Sequence, residues 1–71
     1  MNTGIAKTLS YLLRINNLTN NDLATQVNLP RIVIRKLVAG EISNPSIYAL
    51  APIARFFGIT VSQLTGESAI V

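Results

Sequence analysis

Three cations, Arg31, Arg35 and Lys36, fall within six consecutive positions and carry half of the six positive side chains of this 71-residue chain. Arg and Lys offer hydrogen-bond donors and no acceptors, so such a cluster suits an anionic partner better than acid–base chemistry. The three acids, Asp22, Glu41 and Glu67, stand far apart in the sequence, and His and Cys are both absent. That removes the imidazole base, the thiolate nucleophile, the disulfide framework and the histidine–cysteine metal site. No glycine-rich phosphate loop occurs, and a Ser or Thr without a neighbouring base is no nucleophile. The expectation is a binding protein, without enzymatic activity, cofactor, metal or small-molecule substrate.

Something must hold those cations in place, and apolar packing is the means available. The chain is 49% hydrophobic with a net charge of +3, enough for one small core and one domain over residues 1–71. Its first residues lack the charged region and apolar block of a secretory leader. No apolar run reaches the roughly 18 residues of a membrane span. The expected location is the cytoplasm, with no membrane partner.

Punctuation predicts five helices and no strands. The first runs from Gly4 to Asn16 with Thr3 as N-cap, and Ile5, Leu9, Leu12 and Leu13 form its apolar stripe. Thr19 and Asp22 form a capping box for a second helix over 20–27, with Leu23, Ala24 and Val27 inward. Asn28-Leu29-Pro30 makes a tight turn, since Asn tolerates a left-handed backbone and Pro suits the first turn of a helix. The third helix spans 30–39 and stops at Gly40. Asn44 as cap and Pro45 at the first position open a fourth, ending near Phe57 before Gly58. Thr60 and Gln63 cap a short fifth, closed by Gly66. Pro52 interrupts the fourth helix, where it removes a donor and predicts either a kink or a split.

Two helices joined by a tight turn, the second carrying the cations, make the outline of a DNA-reading motif. A wheel of about 100° per residue with Ile34 at the origin puts Leu37 and Val38 on the same side. Ile32, Arg35, Lys36 and Ala39 then lie opposite, with Arg31 and Val33 flanking. The small side chain of Ala24 lets two helix backbones approach beside the turn.

Residues 20–39 resemble the helix-turn-helix of the phage lambda repressor and Cro family, the xenobiotic-response-element type. The likeness rests on Leu23, Ala24, Val27, Leu29, Ile34 and Leu37. Flanking matches are Leu18-Thr19, Gly40, Asn44-Pro45-Ser46, Ala54, Gly58-Ile59 and Val61-Ser62-Gln63-Leu64, so the likeness reaches from about Ile5 to Gly66. It implies an all-α, compact five-helix bundle with the motif at helices 2 and 3. It further implies a repressor that binds a near-palindromic operator in double-stranded DNA as a homodimer.

By that resemblance Pro30, Arg31, Ile32 and Lys36 stand where relatives reach base edges. Arg31 and Lys36 can donate to guanine O6 and N7, and Ile32 and Val33 can pack on thymine methyls or against a protein. Asn20 stands where relatives carry a phosphate-gripping Gln, or it serves only its own helix end. Arg35, Ser43 and Asn44 are further phosphate candidates. The family's buried Arg–Glu pair is replaced by Leu13 and Val38, an exchange that apolar packing tolerates. Glu41 takes a position at which relatives often carry a basic residue. Tyr48, Phe56 and Ile70 are candidates for dimerisation; for Phe56 the alternatives are cover from the C-terminal tail or simple exposure. The contrasting function is a protein-interaction module, antitoxin-like or anti-repressor-binding, that keeps the fold without reading DNA.

Overall fold

A computed structural model describes residues 3–42 and 44–69, and those residues form five helices and no strand. They are α1 (Thr3–Ile15), α2 (Asn20–Val27), α3 (Arg31–Ala39), α4 (Ile47–Phe57) and α5 (Val61–Leu64). Helix α3 packs against α1 and α2, α4 against α2 and α5, and α5 closes back on α1. The predicted stripe of α1 is buried in full: Ile5, Leu9, Leu12 and Leu13 join Leu23, Ala24, Ile34, Leu37, Leu50, Ile53, Ala54 and Leu64 in one core. Leu13 lies in that core and Val38 packs against it.

Both capping boxes form, because each satisfies two end groups reciprocally. Thr19 N–H donates to Asp22 Oδ2 at 2.9 Å and Asp22 N–H donates to Thr19 Oγ1 at 3.0 Å. The bond from Thr19 N–H, helped by the Thr19 side chain, holds the Asp22 carboxyl below its ordinary value. Thr60 and Gln63 repeat the pattern at 2.9 and 3.0 Å. The turn after α2 has Asn28 in the left-handed region, φ 58°, with Leu29 N–H bonded to the Ala24 carbonyl at 3.0 Å.

Helix starts and Pro52 depart from expectation. Thr3 is the first residue of α1 rather than its cap. Pro30 is the N-cap of α3, held extended at ψ 137°, with its carbonyl accepting from Val33 N–H. Ser46, not Asn44, caps α4 by accepting from Tyr48 N–H at 3.1 Å, so Pro45 stays outside the helix. A hydroxyl two residues nearer the helix competes successfully with the Asn. Pro52 does not split α4, which continues from Ile47 to Phe57. Buried Leu50 on one side and Ile53 and Ala54 on the other anchor both halves. Tyr48, whose carbonyl loses its helical donor to Pro52, is 86% exposed, so water can replace that donor. Ile47 is exposed, because Leu50, Ile53 and Ala54 set the buried direction of α4.

The ends of the fold meet through glycines. A β-carbon at Gly4 would collide with the Thr65 carbonyl, and one at Gly66 would press on the backbone of Gly4. Gly66 has φ 86°, a conformation that glycine adopts without strain. Gly4→Ala is therefore expected to lower stability by about 1–3 kcal/mol through overpacking, although alanine is the better helix former. A urea midpoint equal to or above the parent's would show that the turn at 65–66 yields.

Candidate nucleic-acid interface

Helix α3 is two-faced in the way its wheel requires. Ile34 and Leu37 are fully buried, Val33 and Val38 are half-buried, and Arg31, Ile32, Arg35, Lys36 and Ala39 are exposed. The buried pair clamps the helix to α1 and α2, and a rigid support is what lets the opposite side hold a fixed geometry. None of the three cations is covered by the molecule's own helices.

The structure brings most of the nominated residues together. Asn20, Pro30, Arg31, Ile32 and Arg35 line one groove of about 580 Å³ between the start of α2 and the start of α3. The tight turn causes this convergence by folding both helix N-termini to the same edge. Asn20 and Asn21 occupy the first turn of α2, whose N–H groups lack helical acceptors. Ile32, 50% exposed, adds an apolar side chain to a groove also lined by Arg31 and Arg35. Lys36 is exposed one helical turn beyond Ile32 and does not line the groove. Asn44 is exposed in the loop before α4, and Ser43 lies outside the described residues.

One partner of this surface was missed from sequence. Arg35 Nη1 lies 3.8 Å from Glu41 Oε2, with both side chains half-exposed. Gly40, at φ 74°, turns the chain back, and Glu41 N–H bonds to the Lys36 carbonyl at 2.9 Å. A helix-stopping Gly followed by an acid, six positions after an Arg, was the available signal.

The second nominated surface lies on α4. Tyr48 is almost fully exposed and Phe56 is 41% exposed, its ring edge-on to Phe57 at 5.0 Å. Phe56 and Pro52 share a shallow depression with Val27, Gln26 and Arg55. Ile70 lies outside the described residues. Among the described residues there is no cluster of His, Cys, Asp and Glu able to hold a metal, and no helix long and apolar enough to cross a membrane.

Comparison with known proteins agrees with this geometry. An uncharacterised HTH-type transcriptional regulator of Coxiella burnetii (strain RSA 493 / Nine Mile phase I) is 30% identical over 63 residues. That match covers 89% of this chain but 29% of the relative, so the chain spans under a third of the relative's length. No solved structure gives a significant match. The model of the Cro/C1-type HTH DNA-binding domain matches residues 8–66, including all of α2 and α3. The chain belongs to the Cro/C1-type helix-turn-helix DNA-binding domain family.

Proposed function

We propose that this single domain binds a specific double-stranded DNA sequence as a homodimer on a near-palindromic operator. It acts in the cytoplasm as a transcriptional repressor of phage or mobile-element type. The observation that carries the reading is the outward face of α3, where Arg31, Ile32 and Lys36 are exposed above buried Ile34 and Leu37. In this reading α3 enters the major groove, with Arg31 and Lys36 on guanine acceptors and Ile32 on a thymine methyl. Pro30 approaches base edges at the helix start. Asn20, Arg35, Ser43 and Asn44 contact phosphates, which set register without reading sequence. Tyr48, Phe56 and Ile70 form the contact between protomers.

Binding to random duplex DNA tests the electrostatic part. Log affinity should fall against log salt with a slope of about −0.9 for each phosphate neutralised. Duplexes then selected from a random pool should carry two-fold related half-sites about 34 Å apart, with two chains bound per duplex. One chain per selected duplex would remove the homodimer.

A second reading draws on Ile32 and on the Arg35–Glu41 pair. An exposed isoleucine beside a partly neutralised Arg also suits a protein-docking surface, as in an antitoxin-like module. No duplex binding at low salt would favour that reading.

A further inference from the structure

We propose that Glu41 limits DNA affinity by occupying Arg35 in place of a backbone phosphate. The inference rests on the DNA-binding reading above and concerns a residue to which that reading gives no role. Three observations support it. The Glu41 carboxylate lies 3.8 Å from the Arg35 guanidinium, in the one ion pair among the described residues. The turn at Gly40 and the bond from Glu41 N–H to the Lys36 carbonyl hold residue 41 against the last turn of α3. Arg35 meanwhile lines the same groove as Asn20 and Arg31, where an approaching phosphate would be bound.

A carboxylate and a phosphate oxygen are interchangeable partners for a guanidinium, both negative and both able to accept from its fork. With both side chains half-exposed, the pair adds little to folding stability. Its consequence lies at the interface. Of the three cations on this face, Arg35 alone enters the encounter with a carboxylate beside it. To reach DNA it must exchange one anion for another, while the displaced carboxylate stays near the duplex and repels it. The net counterion release expected from Arg35 is therefore small until Glu41 is neutralised.

Four proteins test this on one random-sequence duplex over a range of salt: the parent, Glu41→Gln, Arg35→Ala and the double variant. Both side chains are exposed, so folding should survive each change, and circular dichroism verifies it. Glu41→Gln is expected to bind more tightly at low salt and to gain about one phosphate in its salt slope. The loss of affinity between 50 and 200 mM salt should then grow by roughly 3.5-fold over the parent's. Arg35→Ala should weaken the Glu41→Gln protein far more than it weakens the parent. Equal gains from Glu41→Gln with and without Arg35 would overturn the proposal, because Glu41 would then act by bulk charge alone. Unchanged affinity and slope in Glu41→Gln would overturn it as well. Absence of duplex binding by all four proteins would instead overturn the DNA-binding reading, and this inference with it.

Discussion

Ile34→Ala is expected to remove about 2–5 kcal/mol of folding free energy, the cost of emptying a fully enclosed aliphatic site. Ile34 has no exposed surface and stands at the centre of the inward side of α3. A chain of 71 residues has a total stability on the order of 4–10 kcal/mol, so this one change consumes a large share. No disulfide or histidine–cysteine metal site can compensate, since the sequence has neither Cys nor His. In a domain this small each kcal/mol lowers the melting midpoint by about 4–8 °C. DNA binding should fail together with folding, because α3 is held to the body through Ile34 and Leu37. Thermal and urea unfolding followed by circular dichroism measure the effect. A midpoint near the parent's would mean that the surrounding side chains collapse into the void and that α3 is held by something else.

Lys36→Ala should do the reverse, leaving the fold intact and changing what it recognises. Lys36 is exposed on the outward side of α3, and surface substitutions of this kind usually stay within about 0.5 kcal/mol in stability. If its ammonium group donates to guanine, its loss costs about 1–3 kcal/mol against the preferred duplex and relaxes the choice at one base pair. Titrating the variant against the selected duplex and its single-position changes separates the roles. Uniform weakening across all sequences would make Lys36 a phosphate contact and remove it from the reading set.

These two changes act on opposite sides of one nine-residue helix, α3, and that division was readable before any coordinates. Helical spacing sorts side chains by angle, and a helix with one apolar side has one way to lie against a core. The capping boxes at Thr19–Asp22 and Thr60–Gln63 were equally legible, because cap and partner are three residues apart and satisfy each other locally. The left-handed Asn28 between α2 and α3 follows from the same short-range chemistry.

What the sequence determined by itself was therefore the set of local commitments: five helices, the turn between the second and third, and the outward direction of Arg35 and Lys36 on α3. Tertiary structure decided the rest. Pro52 stays inside an unbroken α4 because Leu50, Ile53 and Ala54 are anchored in the core on both sides of it, a stabilisation that local propensity does not contain. The same packing rotates Ile47 to the surface. Asn20 and Arg31 share a groove only because the turn folds two helix starts to one edge, and Gly4 meets Thr65 and Gly66 only when α5 closes on α1. The Arg35–Glu41 pair depends on the chain reversing at Gly40. Each of these is a relation between residues brought together by folding, and its energy comes from contacts that do not exist until the chain has closed.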